Sequence, residues 1–116
     1  MTMIHSTQRE CQIRNTVIME RNKNILLMES CWDGDIEKAK QLISAGANLN
    51  YQDRRGVTPL MLASASGHLE LVKYLAEQGA DISAGDYEKG WDALAYASLN
   101  NQSEVWNYLR CLKFPN

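Results

Sequence analysis

Between Thr58 and Ala63 the chain reads Thr-Pro-Leu-Met-Leu-Ala: a polar residue, a proline, then an unbroken apolar run. That order suits a helix start. The Thr58 oxygen can accept a free N–H of the first turn, and Pro59 falls where a missing N–H and a fixed φ do no harm. Gly67 follows as a residue able to take the left-handed conformation that ends a helix. Leu69, Leu71, Val72 and Leu75 then supply the apolar stripe of a second helix, which Gly79 ends. The stretch from Ala80 to Gly90, rich in Gly, Asp and Ser, predicts a loop or hairpin that turns back toward whatever follows. The pattern therefore predicts a helix–turn–helix unit closed by a projecting loop.

This unit recurs. Shifted by thirty-three residues, Gly34, Ile36, Glu37, Lys40, Leu42, Gly46 and Ala47 fall on Gly67, Leu69, Glu70, Lys73, Leu75, Gly79 and Ala80. A shift of thirty-four brings Gly56, Leu60, Ala63, Glu70 and Tyr74 onto Gly90, Leu94, Ala97, Glu104 and Tyr108, which implies one inserted residue near Tyr87 to Lys89. An exposed turn absorbs such an insertion at little entropic cost. A period of this length marks stacked units, each unable to bury its apolar face alone.

Residues 53 to 81 read D-x-x-G-x-T-P-L-x-x-A-x-x-x-G-H-x-E-x-V-x-x-L-x-x-x-G-A-D, and in this the chain resembles the ankyrin-repeat family. The resemblance is strongest in the second unit, good from Gly34 to Asn50, and weaker in the third. Met61 stands where the family has histidine, and Asp92-Ala93 replaces the Thr-Pro pair, with Asp92 still able to cap a helix. The resemblance implies an all-α solenoid with β-hairpin-like loops over residues 24–116, in repeats of about 24–52, 53–85 and 86–114. It does not extend to residues 1–23, whose local charge of +2 and scattered apolar residues fit a tail, an accessory helix over the first unit, or a segment that orders on a partner. Ile36 and Leu69 give way to Ser103, and Ile43 and Ala76 to Arg110, so the third unit is dressed as a C-terminal cap. Glu29, in the column of Leu62 and Tyr96, plays the same part at the other end.

Composition narrows the function. The 116 residues fit one domain, and 45% hydrophobic with 22% charged residues is the mix of a folding globular chain. A net charge of -2 leaves no basic excess for phosphate, so no nucleic acid is expected as partner. Apolar runs such as Ile25 to Met28 are far short of the roughly 20 residues of a membrane helix, so no membrane is expected either, and the cytoplasm is the expected location. Cys11, Cys31 and Cys111 show no metal spacing and are expected as reduced, small core residues, with Cys31 and Cys111 too far apart to bridge.

Catalysis finds no support. The two histidines, His5 and His68, adjoin no nucleophile motif, the carboxylates are scattered, and no Gly-rich phosphate loop occurs. No catalytic residue, cofactor or metal is expected, and His68 reads as a structural hydrogen-bonding residue at the inter-helix turn. Binding of another protein is the expected function, because stacked units expose a concave surface built from loop tips and first-helix ends. Tyr51, Gln52, Arg54, Arg55 and Val57 fall on the first tip by the family framework, and Tyr87, Glu88, Lys89 and Trp91 on the next. Trp32, Asp33, Ala65, Ser66, Leu99 and Asn100 close the first helices. Tyr51, Arg54, Arg55, Tyr87 and Trp91 are the expected anchors, since aromatic and arginine side chains dominate interfaces. Trp32 could instead lid the first unit, Trp91 could cover the inserted loop, and Arg54 and Arg55 could grip an acidic or phosphorylated group or simply be solvated. Trp106, in the column of Ala39 and Val72, is expected in the core. A monomer acting as scaffold or stoichiometric inhibitor is expected, with self-association through Cys111, Leu112 and Phe114 as the alternative.

Overall fold

The computed structural model describes residues 23–115. Within them the chain forms six helices in three pairs, and no strand occurs among the described residues. Helix α1 covers residues 23–33 of the described chain, and the others are α2 (Ile36–Ser44), α3 (Pro59–Ser66), α4 (Leu69–Glu77), α5 (Ala93–Leu99) and α6 (Ser103–Lys113). The readings made for residues 1–23, and Cys11 with them, lie outside the described residues, except that residue 23 is already helical.

Local chemistry explains where each helix begins. The Thr58 hydroxyl accepts from the Met61 N–H at 3.2 Å, with Pro59 at the first helical position. Met61 returns the contact: its Sδ accepts from the Thr58 N–H at 3.4 Å, so the residue that departs from the family pattern closes a reciprocal cap. Asp92 caps α5 by accepting from the Ala95 N–H at 2.9 Å, as expected in place of the Thr-Pro pair, and it is also ion-paired with Lys113.

The pairs stack in chain order, α3 against α5 and α4 against α6. One apolar core runs through all of them, from Leu27, Cys31 and Ala39 through Leu60, Ala63, Leu71 and Leu75 to Ala97, Val105 and Leu109. Trp106 packs half-buried against this core rather than inside it. Cys31 is fully buried as expected, whereas Cys111 is exposed, since it stands on α6 in the column of Glu77 and Ser44, which are exposed in the earlier units as well.

The same bonds repeat from interface to interface. The His68 ring Nε2 lies 3.0 Å from the Trp32 carbonyl, and one unit later the Gln102 amide donates to the Ala65 carbonyl at 3.1 Å. Because a carbonyl can only accept, the His68 proton sits on Nε2. Each of these side chains crosses a glycine with φ of +79°, Gly34 and Gly67. A Cβ on Gly34 would lie 2.5 Å from the His68 ring, and one on Gly67 would strike the Gln102 amide. In the third unit the same left-handed position belongs to Asn101, at φ 59°. On the outer surface Lys40 lies over the Tyr74 ring at 5.2 Å and Lys73 over the Tyr108 ring at 5.7 Å, again one step per interface.

Candidate functional site: a groove between the first helices and the loop tips

The loop tips are held by an aspartate at the base of each. Asp53 Oδ1 accepts from the N–H groups of Arg55 (2.8 Å) and Val57 (3.0 Å), which folds the first tip into a two-residue turn at Arg54 and Arg55. Asp86, one unit on, accepts from Lys89 (2.8 Å), Gly90 (2.9 Å) and Trp91 (3.4 Å), and its other oxygen from the Tyr96 hydroxyl at 2.7 Å. The turn here takes three residues, Tyr87 to Lys89, which is where the inserted residue was expected. The Tyr96 hydroxyl and these N–H groups hold the Asp86 carboxyl below its ordinary range. Burial first, and then the Asp86 carboxylate, push the Tyr96 hydroxyl up to about 12. The tips are tied to each other by the Tyr87 N–H, which donates to the Arg55 carbonyl at 2.8 Å, and by the Gln52 amide, which reaches the Gly56 carbonyl at 3.0 Å and the Gly85 carbonyl at 3.4 Å.

Facing these tips, the inner surfaces of α1, α3 and α5 leave a groove of two joined cavities, of about 510 and 280 Å³. Trp32, Arg55 and Leu62 line both. The larger has a floor of Ile25, Met28 and Leu62, with Tyr51 beside it and Glu29, Asp33 and Arg54 on its rim. The smaller is bounded by Val57, Ala65, Leu99, Glu88 and Asn100. Trp32 remains 54% exposed and Leu99 60% exposed, so both present apolar surface to solvent. Trp32 is thus a wall of the groove and not a lid on the first unit.

The expected site residues divide into two groups. Trp32, Asp33, Tyr51, Arg54, Arg55, Glu88 and Asn100 come together around the groove, with Asn100 steadied by its amide on the Tyr96 carbonyl at 2.9 Å. The others have different places. Val57 is only 4% exposed, packed with Met28 and Met61, because the Asp53 turn swings its side chain inward; its expected place on an open tip is corrected to the groove's floor. Trp91 is half-buried, edge-on to Tyr96 at 6.2 Å and covered by the Lys89 ammonium at 4.6 Å, so it braces the second tip, where the inserted residue lies. Gln52 is a tie between tips. Tyr87, 66% exposed, lies over Gly56 outside both cavities. Ser66 lines neither cavity, and its hydroxyl is enclosed without a partner.

Sequence reasoning missed Ile25, Met28 and Glu29. They precede Trp32 by seven, four and three residues, which puts them on one face of α1, and that periodicity was the available signal. Among the described residues no three His, Cys, Asp or Glu side chains form a group able to hold a metal ion. Burial pushes the Cys31 thiol up to about 12, so it is a packing residue without thiolate chemistry.

A stack of helix pairs with interlocking glycine turns and a groove beneath its loop tips defines a repeat solenoid. The family model for ankyrin repeats, in three copies, matches residues 27–114, and the chain belongs to the ankyrin-repeat family. It is 38% identical to the Mus musculus ankyrin repeat and SAM domain-containing protein 6 over 77 residues, which is 66% of this chain and 9% of that protein. Identity to the Homo sapiens ankyrin repeat and KH domain-containing protein 1 is 42% over 66 residues, 57% of this chain and 3% of that protein. The Mus musculus ankyrin repeat, SAM and basic leucine zipper domain-containing protein 1 is 38% identical over 91 residues, 78% of this chain and 18% of that protein. The chain therefore spans a small part of the length of these curated relatives. Ankyrin repeats are generally protein–protein interaction modules without catalysis.

Proposed function

We propose that this chain binds a protein partner in the groove between its first helices and loop tips, and acts by occupancy alone, as a scaffold or a stoichiometric inhibitor. The single observation that carries the reading is Trp32: a tryptophan 54% exposed at the junction of two apolar-floored cavities offers the large, low-entropy contact on which interfaces concentrate their affinity. Arg54 and Arg55, both exposed beside it, supply directional charge.

The test is photo-crosslinking in cells from single positions. Crosslinkers at Asp33, Arg54 and Leu99 should capture the same protein, and crosslinkers at Glu37 and Lys73, exposed on the outer helices, should not. Equal capture from both faces defeats the reading.

A second reading, self-association, is favoured by one observation at the open end of the stack. Leu112 is 42% and Phe114 60% exposed beside the exposed Cys111. A mass that rises with concentration in wild type but not in Phe114→Ser supports it, and a constant monomer mass excludes it.

A further inference from the structure

We infer that the groove's ligand is a basic segment of a partner protein, in which a lysine or arginine stands close to an apolar residue. This rests on the groove reading above and gives it a chemistry.

The charge of the lining is uneven. Five carboxylates line the two cavities, Glu29, Asp33, Asp53, Asp86 and Glu88, against the two guanidinium groups of Arg54 and Arg55, so the groove is net negative. Asp86 keeps its charge, because the Tyr96 hydroxyl and the backbone N–H groups of its turn hold its carboxyl low. Both arginines belong to the first loop tip, which Asp53 shares with them. On the side formed by α1, α3 and α5, every charged residue that lines a cavity is acidic. These are Glu29 and Asp33, both exposed.

The two carboxylates stand where the helix itself does not favour them. Glu29 and Asp33 are four residues apart, so like charges are neighbours on the surface of α1. Asp33 also ends that helix, where the dipole disfavours an anion. Neither is offset by a salt bridge among the described residues, whose ion pair joins Lys113 to Asp92. Two local penalties without local compensation fit a surface kept for a cation that comes from outside.

Trp32 completes the seat. It follows Glu29 by three residues and directly precedes Asp33, and it is 54% exposed where the two cavities meet. Its ring offers a π face to a cation, and the carboxylates on either side of it offer the counter-charge. The apolar residue of the ligand has its place beside this, over Ile25, Met28 and Leu62. Met28 and Trp32 are four residues apart on α1, which separates their Cβ atoms by about 5–6 Å. An extended chain rises about 3.3 Å per residue, so the basic and apolar residues of the ligand are about two positions apart.

A displayed library of random peptides, selected on the full chain, tests the inference. Selected sequences should converge on an apolar residue with a lysine or arginine about two positions from it. A synthetic peptide from that set should bind roughly tenfold more weakly to the double variant Glu29→Gln, Asp33→Asn, whose thermal midpoint should stay level or rise. Exchanging the peptide's basic residue for glutamate should weaken binding to wild type and strengthen binding to Glu29→Lys. Selected peptides that are acidic or uncharged, or whose affinity ignores the double variant, overturn the inference; if they still lose binding to Trp32→Ala, the groove reading survives. Basic peptides selected only after Arg9, Arg14 and Arg21 are replaced by glutamine would make the chain's own first residues the occupant, which also overturns the inference. Peptides indifferent to Trp32→Ala, or no selected peptide from either form of the chain, overturn both readings.

Discussion

The Tyr96 hydroxyl donates to Asp86 Oδ2 at 2.7 Å, joining the second loop tip to the helix that forms the wall behind it. Both groups are shifted by this arrangement, in opposite directions, and the shifts set how the tip responds to pH. The Asp86 carboxyl lies below its ordinary 3.8 because the Tyr96 hydroxyl and the Lys89 N–H favour its charged form. A folded-state value below the unfolded one gives stability that is present above about 3.8 and lost as pH falls through the lower folded value. Acid titration of wild type should therefore show a loss of stability below pH 3.8 that Asp86→Asn, already lacking the charge, shows less steeply.

Tyr96 behaves in the reverse sense. Its value is raised from 10.0 to about 12, first by burial and then by the Asp86 carboxylate. The stability tied to its protonated form is complete below pH 10 and is lost as pH rises toward 12. A spectrophotometric titration of tyrosinate should lose a late-ionising tyrosine in Tyr96→Phe, and an unchanged late phase would contradict the assignment. Tyr108, also raised by burial, contributes its own late phase and remains in the variant.

Gly34 and Gly67 should tolerate no side chain. Each has φ of +79°, where an L-residue is strained by about 1–2 kcal/mol, and each is crossed by a side chain of the next unit. Gly34→Ala should thus cost at least about 1 kcal/mol and also displace the His68 bond to Trp32. Asn101→Gly, which puts at the same station the residue that a positive φ favours, should stay within about 0.5 kcal/mol. Urea unfolding measures both, and an equal cost at the two stations would refute the strain and crowding assigned to Gly34.

The helices, their caps and the glycine turns were legible because each is a local pattern repeated at a fixed period: Thr58-Pro59, Gly67, the leucines of α4. What was less legible depends on how one unit faces the next. Val57 and Arg55 are two residues apart on the same tip, yet one is buried and the other exposed, because Asp53 accepts both N–H groups and so turns the Val57 side chain inward onto Met28 of the unit before. Trp91 looked like Trp32 in the sequence. It differs because Tyr96 and Lys89, brought to it by the three-residue turn, cover its ring. The groove's floor on α1 was hidden for another reason: Ile25 and Met28 have the spacing of ordinary core residues, and no local pattern tells that the loop tip at Asp53 to Arg55 stands off from that face and leaves a cavity.

The Thr58–Met61 cap makes a prediction about a departure from the family pattern. The Thr58 N–H is buried and finds its acceptor in the Met61 sulfur. Met61→Leu conserves volume but leaves that N–H without a partner, so it should cost about 1–3 kcal/mol, more than such a swap costs in a purely apolar setting. Thr58→Ala should cost about 1 kcal/mol through the lost cap. Because each variant removes one half of the same reciprocal cap, the double variant should cost less than the two added together, which a denaturation double-mutant cycle would reveal.

Trp32 and Trp91 should separate binding from folding. The Trp32 ring is more than half exposed and touches the groove from above, so Trp32→Ala should leave the thermal midpoint nearly unchanged while weakening a groove ligand by about 2 kcal/mol or roughly thirtyfold. Trp91→Ala removes an edge-on contact with Tyr96 and the cover of the Asp86 turn, so its cost should fall on stability, at about 1 kcal/mol, with binding weakened only as far as the second tip loosens. Calorimetric titration of one ligand into both variants, beside their melting curves, distinguishes the roles. If Trp91→Ala lost binding at an unchanged midpoint, the ring would be a contact residue and the division between wall and brace would be wrong.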